Sequence, residues 1–565
     1  MAAEIETPRA EANARQKIAG FCTWRTVLVS LTALGCFALA VVVSVTLKSQ
    51  FSISPPEARS MEDDQATSNE NDADADAAGV ARVKAAAVPG DFKDPAPPKV
   101  LSVKGKPIEK TKPYDRVTFH APPKPLSPTA VTEDWPHFLG PRHTPVSHET
   151  ELLHEWPDDG PAVVWELKKS ASYSSPSIAG ERLVYTHRDG NDVFVDCLHP
   201  ATGELYWQFK YPTEYQDRYG YGGGPRASPV IHGDRVYLYG AEGELICLHL
   251  LSGELIWQRE LTKEFDVPQD FFGSVGTPLL IDGKLIINIG APNGPCVAAF
   301  DAENGRLVWG AGNKWGPSYA SPIPATIHGK PRVFVFAGGD SRPPVGGLIS
   351  LDPADGHIDF EFPWRSKSYE SVNASCPVIF DNSVFVTATY NTGSAFLHID
   401  EEMNYTKAWT ASDVGLHWNT PAVRDGYLYA FDGRNEPDAS AVCVDLKTGE
   451  VVWREVPTWE ETIKINNKEQ KIEVSTMRGT LLSVDGKFLC LGELGHLLWL
   501  DLTPEGYKED ERAWLFAARE TWALPVLSHG LLYVSQNSKD ILTNAGPRLI
   551  CYDLRGGAAN ESVKK

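Results

Sequence analysis

Several common functional signatures are missing from this 565-residue chain. It has no Cys-x-x-Cys and no Cys-x-x-Cys-His, so covalent haem attachment is excluded. It has no basic stripe either. Lys and Arg number 53 against 74 Asp and Glu, a net charge of -21, and an acidic chain without a cationic face is a poor nucleic-acid binder. Seven of the acids fall between Glu62 and Asp76 with no Lys or Arg among them, so a third of the excess charge sits in one short stretch. The glycine run Tyr219-Gly220-Tyr221-Gly222-Gly223-Gly224 lacks the Lys-Ser/Thr and the strand-to-helix setting of a phosphate loop, and reads as a flexible loop at a rim. His187, His199, His232 and His249 do not cluster, and isolated histidines on strands are usually structural. The loop Asp432 to Asp438 offers several oxygens to calcium, but a plain acidic turn explains it as well.

What the chain does contain is a repeat. A turn ending in Gly is followed four residues later by Trp: Gly203 with Trp207, Gly253 with Trp257, Gly305 with Trp309, Gly449 with Trp453. The other half of the unit opens with Ser/Thr-Pro, a short apolar strand and a tight turn, as in Thr277-Pro278 with Asp282-Gly283 and Thr420-Pro421 with Asp425-Gly426. Such dipeptides supply the positive φ angles of a two-residue hairpin. Eight strand starts follow, at Ser175, Ser228, Thr277, Ser321, Ser375, Thr420, Thr480 and Leu524. Recurrence every 44 to 60 residues predicts an all-β fold, an eight-bladed β-propeller of four-stranded blades over 135–555. Trp207, Trp257, Trp309, Trp409, Trp453 and Trp514 are expected to fill one slot per blade, with Phe360 in a seventh. The last unit stops after Ile550 to Leu554, so the orphan strand Val163 to Leu167 is expected to close the eighth blade and remove its open edge.

The N-terminal quarter, residues 1–134, reads differently. Residues 1–25 are a short basic leader, and Thr26 to Leu47 is uncharged and mostly apolar. As a helix its 22 residues reach roughly 33 Å, against a hydrocarbon core of about 30 Å, so one transmembrane helix is expected at 26–47. A cleaved signal peptide competes with this reading, as does lipidation at Cys36, although the apolar run continues past Cys36. Arg9, Arg15, Lys17 and Arg25 keep the N-terminus cytoplasmic and place the propeller in the periplasm or outside the cell, with the chain held in the membrane by one pass. Residues 48–134, acidic and then Pro-rich, are expected to form a disordered tether, and 556–565 a tail.

Cys197, Cys247 and Cys443 lie six residues before a turn Gly, where Ala299 and Ser350 stand in other units. The slot therefore asks for a small buried residue, and equivalent slots in different blades are too far apart for a disulfide. The pattern Cys443-x-Asp445-x-x-Thr448-Gly449-x-x-x-Trp453 resembles the tryptophan-docking repeat of pyrroloquinoline quinone (PQQ) β-propellers. Trp135-Pro136-His137-Phe138-Leu139-Gly140-Pro141-Arg142 resembles the opening of PQQ-like propeller proteins frequent in planctomycete-type bacteria. The resemblance implies that each Trp packs between its own blade and the next. It also implies one of two functions: a dehydrogenase holding PQQ and calcium on the axis, or a noncatalytic propeller that binds partner chains. The dehydrogenases carry adjacent cysteines, and this chain has no Cys-Cys pair, which favours binding or scaffolding with envelope proteins as partners.

In a propeller the first strand of each blade lines the axis, so residues just before each Ser/Thr-Pro crowd the mouth of the channel. These are Tyr173, Arg226, Ser274, Tyr319, Asn373, His417, Trp418, Asn419, Arg478 and Trp522. Of these, Tyr173, Arg226, Tyr319, Trp418, Asn419, Arg478 and Trp522 are the candidates for holding a small molecule or cofactor. An indole could stack on a planar ring, an Arg could pair with a carboxylate, and Asn419 could orient a carbonyl. The competing reading is that the rings merely fill the axis and that Arg478 pairs with Glu493. No residue is assigned a catalytic role and none a metal.

Overall fold

The computed structural model describes residues 92–96, 98, 114–434, 439–465 and 468–556. Eight antiparallel sheets follow one another around an axis, the first seven each built from four consecutive strands, and a separate hairpin, Thr458–Ile465 with Lys468–Ser475, falls in sequence between the sixth and the seventh. The first runs from Ser177–Ala179 to Leu205–Pro212 and the seventh from Thr480–Val484 to Gly506–Trp514. The eighth takes three strands from the C-terminal end and is closed by Val163–Lys168, which pairs with Arg548–Asp553. The expected closure is therefore present. Joining the two chain ends in one sheet leaves no blade with a missing strand.

The Ser/Thr-Pro motif has a physical basis in this ring. The backbone N–H of Ser175 donates to Ser228 Oγ at 3.2 Å, that of Ser228 to Thr277 Oγ1 at 3.1 Å, and that of Thr277 to Ser321 Oγ at 2.9 Å. Ser321 N–H then donates to the thiol of Cys376 at 3.3 Å. Each hydroxyl, or thiol, thus satisfies a buried amide of the preceding blade, which has no ladder partner at the crowded axis.

Tryptophan docking takes the implied form, with one exception. Trp207 Nε1 donates to Leu250 O, Trp257 to Ala302 O, Trp309 to Pro353 O, Trp409 to Leu446 O and Trp453 to Thr503 O, each acceptor lying in the next blade. Trp165 of the closing strand does the same to Pro200 O of blade 1. For Trp165, Trp207, Trp257, Trp309 and Trp409 the turn Gly that accommodates the ring also belongs to the next blade: a Cβ on Gly449 would fall 2.5 Å from Trp409. Phe360 holds the slot of blade 4 against a turn in which Met403, not Gly, has positive φ. The expected slot of Trp514 is wrong. In blade 7 the register puts Glu511 opposite Trp499, so the indole sits on the third strand and donates to Leu153 O, while Trp514 donates within its own blade to Leu494 O. The seven cysteines among the described residues are buried and unpaired, and Cys197, Cys247, Cys443 and Cys551 each lie opposite a docking Trp.

The boundary of the tether also needs correction. Val117–Phe119 forms a fifth strand on the closing blade, antiparallel to Trp165–Leu167, and Tyr114 Oη donates to Asp196 at 2.7 Å. Ordered structure thus begins at least 20 residues before Trp135. Residues 48–91, 97 and 99–113 of the expected tether, the stretch 26–47 and most of the tail lie outside the described residues, as do residues 435–438 of the acidic loop. Among the described residues no helix is long and apolar enough to cross a membrane.

Residues 135–149 cross the end of the axis where the first strands finish. Trp135 exchanges backbone hydrogen bonds with Ile178, Pro136 O accepts from Ile231 N, and Ser147 N donates to Ser483 O. Glu149 Oε2 then accepts from Gly530 N at 2.8 Å. Residues 135–149 therefore form a plug at this end of the axis that ties blades 1 and 2 to blades 7 and 8. His137 and His143 stack within it at 4.1 Å.

Candidate functional site

The opposite end of the axis is ringed by the loops that connect successive blades, and these loops carry the expected candidates. Tyr173, just before the first strand of blade 1, stacks on Trp522, with centroids 5.7 Å apart and planes 20° from parallel. Its hydroxyl donates to Glu520 Oε2 and accepts from Gly222 N at 3.1 Å. Arg226 pairs with Asp217 at 2.7 Å and lies over the rings of Tyr173 and Tyr215. Trp522 Nε1 donates to Glu493 Oε1 at 2.7 Å, the same oxygen that takes Arg478 at 2.8 Å, and the Arg478 guanidinium sits 5.8 Å from the Trp522 ring. Tyr173, Arg226, Arg478 and Trp522 thus form one connected cluster with Asp217, Glu493 and Glu520.

Of the remaining candidates, Asn419 and Tyr319 are placed apart from it, while Trp418 borders it. Asn419 donates to Phe431 O at 3.2 Å and Gly479 O at 3.1 Å, which fixes two blades together rather than presenting an amide to a ligand. Asn373 does the same with Ala337 O and Trp364 O. Tyr319 is buried, and its hydroxyl accepts from Phe272 N at 3.1 Å. Asp270 stands beside it, and burial raises the Asp270 carboxyl to about 6. Trp418 lies 6.4 Å from Trp522, and its Nε1 is buried with no hydrogen-bond partner among the described residues.

His417 accepts a hydrogen bond at Nδ1 from Arg478 at 3.0 Å. Burial, then the charges of Arg478 and Arg434, hold its pKa well below the ordinary value, so the ring is neutral and poorly suited to accept a proton. Glu520 is shifted upward, chiefly by burial.

Quinone and calcium place specific demands on such a mouth. A quinone needs a free aromatic face, and calcium needs several convergent oxygens. Trp522 has Tyr173 stacked on it and Arg478 over its ring, while its indole N–H is used by Glu493. Among the described residues no group of three or more His, Cys, Asp or Glu is arranged to hold a metal. In the acidic loop the Asp432 carboxylate is taken by Gly415 N at 2.6 Å and by Arg454. The described residues therefore offer the pair neither a free face on Trp522 nor a convergent set of carboxylates.

Sequence reasoning found the basic and aromatic half of the cluster and named Glu493 as a partner for Arg478. It missed Glu520 and Asp217. Glu520 lies two residues before Trp522, close enough to have been read in the same loop, whereas Asp217 returns to Arg226 from the far side of the glycine-rich loop.

A family model described as outer membrane protein assembly factor BamB matches the chain in three overlapping stretches, residues 134–309, 191–455 and 295–562. No curated protein sequence matches. Among solved structures the chain is similar to BamB from Moraxella catarrhalis, at 14% identity over 70% of this chain and 100% of that one, with a TM-score of 0.44. It is also similar to a europium-containing methanol dehydrogenase, at 10% identity over 71% and 89%, TM-score 0.49. A third likeness is to a quinohemoprotein alcohol dehydrogenase from Comamonas testosteroni, at 12% identity over 75% and 81%, TM-score 0.48.

Proposed function

The chain belongs to the PQQ-like β-propeller family of outer membrane protein assembly factor BamB, and on that premise we propose that it is a binding or scaffold protein of the cell envelope, engaging its partner at the propeller mouth. The observation that carries this reading is the mutual pairing of the mouth residues. Tyr173 with Glu520, Arg226 with Asp217, and Arg478 and Trp522 with Glu493 satisfy one another. A surface whose charged groups are paired with one another and that is lined by part-buried aromatics such as Tyr219, Tyr221 and Phe272 suits recognition of another chain. Placement in the envelope rests on the apolar stretch 26–47 and the basic flank before it.

The rival reading is a PQQ-dependent oxidoreductase acting on an alcohol or sugar. It draws on Trp418, whose indole N–H lacks a partner among the described residues. Titration of the full chain with PQQ, with and without Ca²⁺, separates the two through tryptophan fluorescence. The binding reading expects no saturable quenching. Saturable quenching that disappears in Trp418→Ala would overturn it and reinstate the enzyme.

A further inference from the structure

Residues 92–96 lie on the outer rim between blades 2 and 3, far in sequence from the residues they touch. Asp94 Oδ1 accepts from Arg259 Nη2 at 2.6 Å, and Oδ2 accepts from Arg259 Nη1 at 3.3 Å. Oδ2 also accepts the backbone N–H of Leu307 at 3.0 Å, on the outermost strand of blade 3. Arg259 Nη2 donates to Ala96 O at 3.0 Å as well. The Arg259 side chain is fully buried. It is held by Glu264 at 2.8 Å and Gly305 O at 2.8 Å, with its guanidinium 4.9 Å from the Phe300 ring. Asp94 therefore completes a prepared cationic socket.

Two residues away, the ring of Phe92 fills a second depression. A Cβ on Gly294 would lie 2.7 Å from that ring, and one on Gly310 would lie 2.9 Å from it. Gly310 is informative because its backbone does not adopt a positive φ, so conformation does not demand glycine there. It follows the docking Trp309, and the same position in the other blades holds Glu166, Gln208, Gln258, Glu361, Thr410 or Arg454. Only in blade 3 is the side chain absent, and there Phe92 sits.

We propose that this rim notch is a peptide-docking site for an aromatic-x-Asp-Pro motif, and that its occupant is the chain's own Phe92-Lys93-Asp94-Pro95. The site is separate from the mouth and does not depend on the function proposed for it. The ring depression selects an aromatic, and Arg259 with the Leu307 amide selects a carboxylate two residues later. Pro95 has no N–H to leave unsatisfied as the segment passes along the strand edge. The docked motif latches the chain upstream of the propeller to the wall of blades 2 and 3.

The test uses the full chain in detergent and a fluorescein-labelled peptide of residues 89–98. The chain's own motif competes at an effective concentration on the order of millimolar, so about 100 μM free peptide should bind wild type at least tenfold more weakly than a Phe92→Ala, Asp94→Ala variant with the notch vacated. Changing Asp94 to Asn in the peptide should weaken binding to that variant at least tenfold. Equal binding to both proteins, no saturable binding to the variant, or indifference to the Asn change would overturn the proposal. Hydrogen–deuterium exchange on the wild-type chain reads the latch without any substitution. The Leu307 amide, which faces out from an edge strand, should exchange at least tenfold more slowly than an unprotected edge amide, and exchange at the unprotected rate would also overturn it.

Discussion

Lys169 is buried at the seam where blade 8 meets blade 1, with 2% of its surface exposed. Its ammonium has only neutral oxygens as hydrogen-bond acceptors among the described residues, Ser172 O at 3.4 Å and Asn537 Oδ1 at 3.3 Å, and burial lowers its pKa from 10.5 to about 7. Between those two values the unfolded chain binds more protons than the native one, so stability rises with pH across the window and the full penalty is present below pH 7. One pKa unit corresponds to about 1.36 kcal/mol, and integration over both titrations gives a gain of about 2 kcal/mol between pH 7 and pH 9. Lys169→Met keeps most of the aliphatic stem and removes the titration. The variant should be more stable than wild type at pH 7 by roughly 2–4 kcal/mol and should lose that part of the pH slope. Urea unfolding followed by tryptophan fluorescence at the two pH values measures both quantities. Parallel slopes for wild type and variant, or a variant less stable at both pH values, would refute the reasoning.

Three further outcomes are expected. Trp257→Ala removes a ring that is 1% exposed and docks on the next blade, and should cost about 3–5 kcal/mol in the same unfolding assay. Gly449→Ala combines a φ of +78° with a Cβ 2.5 Å from Trp409, so it should destabilise by about 2 kcal/mol or more. The loss should shrink in a Trp409→Ala background, where the clash is gone. If 26–47 spans a membrane, the full chain should stay with membranes through an alkaline carbonate wash, and a chain lacking residues 1–47 should not. Release of the full chain would count against the span.

The repeat was legible because its determinants are local. Asp-Gly and Asn-Gly turns set hairpins through backbone conformation alone, and Ser/Thr-Pro marks five of the eight first strands with looser copies at the other three, so eight blades and the closing strand Val163–Lys168 could be counted from sequence. The slot of blade 7 was misread because Trp514 has the right residue type but the wrong register. The bulge between the third and fourth strands recurs in every blade, so the slot falls on Glu511, and Trp514 lies three residues further along the strand, eight rather than four residues after the turn Gly506. The tether was set too long for a related reason. Val117–Phe119 and Phe92 to Ala96 are short, lie in polar or Pro-rich surroundings, and gain their order only from contacts made far along the chain.

At the mouth, sequence placed Tyr173, Arg226, Arg478 and Trp522 near the axis, since position within the repeat fixes which loop a residue occupies. It could not say that these groups would consume one another's hydrogen-bonding capacity. That outcome depends on whether Glu520 and Glu493 reach Tyr173 and Trp522 from neighbouring loops, 347 and 29 residues away in sequence, and on whether the glycine-rich loop folds Asp217 back onto Arg226. Periodic local signals determined the number of blades and the closure of the ring. Closure of the ring then decided which side chains met, and with it the plug at one end of the axis, the paired cluster at the other and the latch on the rim.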